Sequence, residues 1–210
     1  MKKIHYILFG SLLAFTVSAN QAHAEWPEKS IEFVIPFGAG GGADIEGRLI
    51  AKAMSKELGK PVVPINKPGG GGAITYTYVK NSKPDGYTIA WNSTSILTTT
   101  NIGNVPFDYT AMDHIGQVAQ QPVPFVVSKN ARWNTLKEFM DECKAKPNTL
   151  KIAFAGFGSA THLAGVAMSQ MNGCKPIILP VKAPDRRKMH ISGQTEAAVD
   201  IVFEPSNLGK

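Results

Sequence analysis

The chain has 210 residues, 22 of them Lys or Arg and 16 Asp or Glu, for a formal charge of +6; 43% are hydrophobic and 18% charged. That balance supports a packed core, and the length suits one large or two small domains. The basic residues are scattered apart from the run Arg186, Arg187 and Lys188, which excludes a nucleic-acid-binding face and favours small anions as partners; the run itself is expected to be a solvated loop or helix start.

Residues 1–24, MKKIHYILFGSLLAFTVSANQAHA, combine a basic start at Lys2 and Lys3, an apolar stretch from Ile7 to Val17 and a small-x-small ending at Ala22-His23-Ala24. These are the parts of a secretory signal peptide. Cleavage after Ala24 would leave 186 residues with a charge of +4. The apolar stretch is shorter than the roughly 20 residues that cross a bilayer, and no other segment is long and apolar enough. The mature chain is expected to be exported and not membrane-spanning.

Strand and helix signals then alternate. IEFVIPF, from Ile31, is an apolar strand followed by a glycine-rich turn and a helix that opens near Asp44 and runs through Arg48 to Leu58. VVPIN is a second strand, with a helix near Ala73 to Lys80, and YTIAWN is a third. The link from Thr98 to Pro124 has few helix signals and holds Gly103, Pro106, Gly116, Pro122 and Pro124. It is expected to carry the chain into a second lobe. That half continues with PVPFVVS, a helix from Leu136 to Lys146, KIAFAG, a helix from Thr161 to Met171, PIILPV, a helix near Arg187 to Ser192, and AAVDIVF. Such alternation argues for an α/β fold with mostly parallel sheets. Cys143 and Cys174 lie near the ends of two of these helices; the sequence leaves a disulfide and a pair of small buried residues equally open. Neither has a Cys or His at metal spacing, so no zinc site is expected.

In open α/β sheets ligands bind where loops leave the carboxyl ends of strands. Four loops stand there: PFGAGGGAD, NKPGGGGA, WNSTS and AGFGSATH. In the first, glycines expose consecutive N–H groups beside a helix start, which suits an anion. Gly38, Gly40 and Ala43 have the GxGxxA spacing of a dinucleotide loop, but the next strand signal ends at Asn66, where a ribose-binding acid would be expected. There is also no Gly-Lys-Ser/Thr of a P-loop. A ligand-free strand-to-helix turn stays open for this loop, and helix capping for each loop hydroxyl. Ser159 and His162 could form a nucleophile and base, yet no GxSxG surrounds Ser159 and no acid is placed to orient the imidazole. Asp44 could be a general base, although a helix N-terminus lowers a carboxylate's pKa and suits capping. No constellation for catalysis is found, and no cofactor is expected. Micromolar binding corresponds to about 8 kcal/mol, against roughly 1.5 to 3 for one charge-assisted hydrogen bond. Several loops from two lobes, closing as a hinged clamp, would be needed.

The stretches WPEKSIEFVIPFGAGGGADIEGRLIAKAMSKELGKPVVPINKPGGGGAI, KPDGYTIAW, TLKEFMDECKAKPNTLKIAFAGFGSATHLAG and AAVDIVFEPSN closely resemble the Bug-type, or TctC-like, substrate-binding proteins of tripartite tricarboxylate transporters. The resemblance covers nearly the whole mature chain. It implies a periplasmic binding protein type II fold, a Venus flytrap of two α/β lobes, here residues 25–122 and 123–210. It further implies a non-enzymatic, monomeric, periplasmic protein that captures a small carboxylate (a tricarboxylate, dicarboxylate, acidic amino acid or aromatic acid) and delivers it to a two-subunit membrane permease. Carried onto this sequence, the ligand contacts would be Phe37, Gly38, Ala39, Gly40, Gly41 and Asp44 in the first loop, with Ser93, Thr94 and Ser95 on the same lobe. Gly158, Ser159, Ala160 and His162 would face them from the second lobe, and Glu204 would line the cleft in a sequence-variable position. A periplasmic α/β hydrolase using Ser159 and His162 and a carboxylate-sensing receptor are the alternatives.

Two departures from the family stand out. PVKAPDRRKMHISGQ replaces a tyrosine-lysine-glycine loop and an Ala/Leu-rich helix, and its polarity puts that helix in doubt. The chain also stops at Lys210, just after EPSN, where relatives cross back to complete the first lobe. A C-terminally truncated member is expected, destabilised alone or non-functional, with a sheet edge and an apolar face of the first lobe uncovered.

Overall fold

The structure is a computed structural model and describes residues 25–120, 122–182 and 185–200. The signal-peptide segment and Glu204 lie outside the described residues. Among the described residues there are two sheets. The first is all parallel, in the order β2-β1-β3, from Val62–Asn66 (β2), Ile31–Ile35 (β1) and Thr88–Ala90 (β3). IEFVI is an almost unbroken apolar run because β1 is central: Ile31, Val34 and Ile35 have no exposed surface. Helix α1 (Gly42–Leu58) packs closely on it, a Cβ at Gly47 falling 2.8 Å from the end of the Ile35 side chain. Helix α2 (Ala73–Lys80) follows β2 through a short 3-10 turn at Gly70–Gly72.

The second sheet has the order β4-β7-β5-β6, from Phe125–Val127 (β4), Ala197–Val199 (β7), Lys151–Phe154 (β5) and Ile177–Pro180 (β6). Its one antiparallel pair is β4 with β7. Helices α4 (Leu136–Ala145), α5 (Ala160–Met171) and α6 (Asp185–Ile191) join its strands. Thr135 caps α4, its hydroxyl accepting from the Glu138 N–H at 3.2 Å. Phe139, Cys143, Ile152 and Ala197 form the centre of the core between α4 and the sheet.

Three expectations change. The link from Thr98 begins inside a helix: α3 covers Ser95–Asn101, and a 3-10 turn follows at Tyr109–Ala111. Its threonines hid the helix by sequence, because β-branched residues have low helix propensity. They are accommodated by bonding back to the preceding turn, Thr98 Oγ1 to the Thr94 carbonyl at 3.2 Å and Thr99 Oγ1 to the Ser95 carbonyl at 2.9 Å. The doubted polar helix exists as α6. And Arg186 is not a solvated residue of a basic run: it is buried, 3% exposed, held by the Val181 carbonyl and Asp200.

Exposed apolar side chains occur around both sheets, among them Ile74 54% and Ile102 52% beside the first and Met171 86% and Ile191 82% beside the second. Cys143 and Cys174 are bonded, with Cα atoms 5.2 Å apart and a sequence separation of 31. The bridge joins the end of α4 to the segment entering β6. Closing a loop of that length removes chain entropy worth about 3 to 4 kcal/mol. Reduction, or Cys143→Ala with Cys174→Ala, is expected to lower stability by roughly that amount, read as a lower urea midpoint.

Candidate functional site

The carboxyl ends of both sheets open on one cleft. Its walls come from Pro36–Gly38 and Gly41–Ala43 after β1, Pro68–Gly72 after β2, Ser93 after β3, Ala155–Phe157 and Ser159–Thr161 after β5, and Lys182, Arg186 and Asp200 after β6 and β7. The enclosed volume is about 320 Å³, at the small end of the range for ligand pockets.

Two contacts fix how the walls meet. Gly71 has φ +68°, and a Cβ there would lie 2.2 Å from the Phe157 carbonyl oxygen. Asn104 Nδ2 donates to the Gly70 carbonyl at 3.2 Å, and the same amide lies near Gly158, whose φ is +82°. Loops from opposite sheets therefore touch through backbone.

The first loop is held by a buried network. Gly40 N–H donates to Asp44 Oδ2 at 2.9 Å, while Asp44 Oδ1 accepts from Arg48 Nε at 2.9 Å and from Asn66 Nδ2 at 2.8 Å. Asn66 Nδ2 also donates to the Phe37 carbonyl at 3.0 Å, and Arg48 Nη2 donates to Asn66 Oδ1 at 2.9 Å. Burial pushes the Asp44 carboxyl up, but the bonds from Arg48, Gly40 and Asn66 outweigh it and hold the group below the usual range. Asp44 is thus the fastener of the loop, neither a base nor part of the cleft wall. Asn66 stands where a ribose-binding acid was sought, and ties β2 to the loop instead. Arg48 was legible as an i,i+4 partner of Asp44; Asn66 carried no local signal.

The first turns of two helices line the cleft, Gly42–Ala43 of α1 and Ala160–Thr161 of α5. N–H groups of a first helical turn have no acceptor within the helix. No side chain caps α1, whose N-cap is Gly41. At α5, Ser159 Oγ accepts from the His162 N–H at 3.2 Å and bonds the Thr161 hydroxyl at 2.9 Å.

Of the residues expected at a ligand, Phe37, Gly38, Gly41, Ser93, Ser159 and Ala160 line the cleft. Ala39, Gly40, Asp44, Thr94, Ser95, Gly158 and His162 do not. Ser95 is fully buried, its hydroxyl 2.7 Å from both the Tyr76 hydroxyl and Ser93 Oγ; burial pushes Tyr76 up to about 12 despite the serine bonds, so this neutral phenol braces Ser93 from behind. Thr94 stands at the start of α3. His162 stacks on Phe154, with ring centroids 4.6 Å apart, and its Nδ1 accepts from the Gly158 N–H at 3.2 Å. Burial lowers its pKa and favours neutral imidazole. Ser159 Oγ and the imidazole Nδ1 are instead engaged by the His162 and Gly158 N–H groups. Among the described residues no cluster of His, Cys, Asp and Glu could hold a metal. The sequence reading missed Lys182 and Arg186 as cleft residues, because the polar stretch carrying them resembled surface.

With this geometry in view, known proteins supply close parallels. The family model described as "Tripartite tricarboxylate transporter family receptor" matches residues 47–201. A UPF0065 protein of Bordetella pertussis is 30% identical over 173 residues, 81% of this chain and 54% of that protein. The structure of the periplasmic binding protein BugD matches with TM-score 0.76 and 31% identity, over 84% of this chain and 60% of that one. MatC from Rhodopseudomonas palustris, a structure with bound malate, matches with TM-score 0.77 at 24% identity, over 83% and 61%. The chain spans little more than half the length of the curated relatives it matches.

Asp44→Asn, which keeps the shape and removes the charge, is expected to destabilise the protein by about 1 to 3 kcal/mol at pH 7. A depressed carboxylate contributes stability above its unfolded value near 3.8 and loses it as pH falls through the lower folded value. The difference between variant and wild-type melting temperatures should therefore shrink below about pH 4. Gly71→Ala should force the two loops apart, lowering ligand affinity more than stability; ligand titration beside a denaturant melt separates the two.

Proposed function

The chain belongs to the tripartite tricarboxylate transporter receptor family, whose members have the fold of periplasmic binding proteins, and on that premise we propose that it captures a small carboxylate outside the cytoplasm and presents it to a membrane permease. The observation that carries this reading is the cleft itself: uncapped first-turn N–H groups of α1 and first-turn residues of α5 line it from opposite sheets. A carboxylate held between them accepts from both helix starts, each favouring negative charge by about 0.3 to 1 kcal/mol, and up to 2 when partly buried. Ser93, braced by Ser95 and Tyr76, adds a hydroxyl on the first sheet's side. Residues 25–122 and 123–210 act as the two jaws, with the Gly71–Phe157 contact setting their spacing around the ligand. The protein works as a non-enzymatic monomer, exported by the segment ending at Ala24, with a two-subunit permease as its partner.

The bonds already made by Ser159 and His162 speak against hydrolysis. No helix among the described residues is long and apolar enough to cross a membrane.

A thermal-shift panel of mono-, di- and tricarboxylates, with malate included because MatC holds it, tests the reading. A ligand present at a hundred times its Kd should stabilise the protein by about 2.7 kcal/mol, with the acid recovered chemically unchanged. A folded sample whose melt no carboxylate shifts would refute carboxylate capture by this chain.

A further inference from the structure

Among the described residues, the charges of the cleft lie on one side. Among its described lining residues only Lys182, Arg186 and Asp200 are ionisable acids or bases, and all three follow strands of the second sheet. The wall after β1 and β2 is glycine, proline, alanine and phenylalanine, so its donors are main-chain N–H groups. One wall is built of neutral dipoles and the other holds full charges.

Arg186 is the unusual member. Its side chain is only 4% exposed. Nη1 donates to the Val181 carbonyl at 2.9 Å and Nη2 to Asp200 Oδ1 at 2.5 Å. Nε, buried, has no hydrogen-bond partner among the described residues. A guanidinium carries five N–H donors in a planar fork suited to a carboxylate, and leaving a buried donor unmade is costly. Asp200 is shared, since Arg187 Nε lies 3.8 Å from its Oδ2. Arg186 and Arg187 thus both face Asp200, and with Lys182 also on this wall the described lining residues carry more positive than negative charge.

Resting on the carboxylate reading above, we propose that Arg186, assisted by Lys182, is the specificity-determining cation of the site: it receives a second acidic group of the ligand while the first sits at the main-chain donors, so the cleft selects diacids over monoacids of the same length. Arg187 holds Asp200 while the guanidinium of Arg186 turns its spare donors to the ligand. Lys182, exposed at the rim, supplies a further charge without a described structural bond of its own.

The test titrates the full chain with succinate, glutarate and adipate, each against its own monoamide, which keeps length and one carboxylate but removes the second charge. At least one diacid should bind about 10- to 100-fold tighter than its monoamide, the range expected for one charge-assisted contact. Lys182→Gln should reduce that ratio several-fold without changing the melt of the empty protein, and Arg186→Gln should bring it close to one. Equal binding of diacid and monoamide by the wild type overturns the proposal and leaves carboxylate capture standing. A ratio unchanged in Lys182→Gln and Arg186→Gln overturns it too, and should Arg186→Gln fail to fold, an unchanged ratio in Lys182→Gln alone does so. Failure of every acid and monoamide to bind the folded wild type removes the carboxylate reading and this proposal together.

Discussion

The architecture turns on a place where two backbones meet with no side chain between them. At Gly71 any Cβ would collide with the Phe157 carbonyl, so the loop after β2 lies directly against the loop after β5. That contact sets how far apart the carboxyl ends of the two sheets stand, and the width of the cleft follows. Asn104 strengthens it by donating to Gly70 from the segment after α3. Van der Waals contact between backbones tolerates little displacement, because packed interiors behave as close-packed solids. A site made of main-chain donors depends on such a fixed separation, since amides cannot extend towards a ligand as long side chains do.

The first loop depends on a second constraint, the shared carboxylate of Asp44. It collects donors from the loop at Gly40, from its own helix at Arg48 and from the next strand at Asn66. Strand, turn and helix are thereby fixed as one unit. The glycines that make the turn possible contribute no rigidity, being the residues with most conformational freedom to lose. Asp44 and Asn66 provide the order that glycine cannot.

Much of this was legible in the sequence, and the limits are physical. IEFVI, KIAF and the glycine loops announce buried parallel strands and their carboxyl-end turns because burial on both faces demands continuous apolar runs. The helix at Ser95–Asn101 was hidden, because SILTTTN lacks helix-forming residues and is held by hydroxyls bonding to the previous turn. Asp44, expected among the ligand contacts, stands behind the cleft wall bonded to Gly40, Arg48 and Asn66, and the last of these, 22 residues away, carried no local signal. Arg186 looked like surface because its neighbours Arg187 and Lys188 are exposed; only the return of β7 brings Asp200 to it. Periodicity reports which face a residue occupies, but not what arrives opposite from another part of the chain.

The division of the cleft into a main-chain wall and a charged wall has a consequence for how such a protein can change over generations. Amide donors at the start of α1 belong to every residue type except proline, so they do not depend on side-chain identity, whereas Gly71 in the loop after β2 admits no side chain. Drift in ligand preference is then channelled to the few positions after β6 and β7, where single codon changes at Lys182 or Arg186 alter charge outright. A scaffold arranged this way can change the charge of one wall with little effect on the main-chain donors of the other.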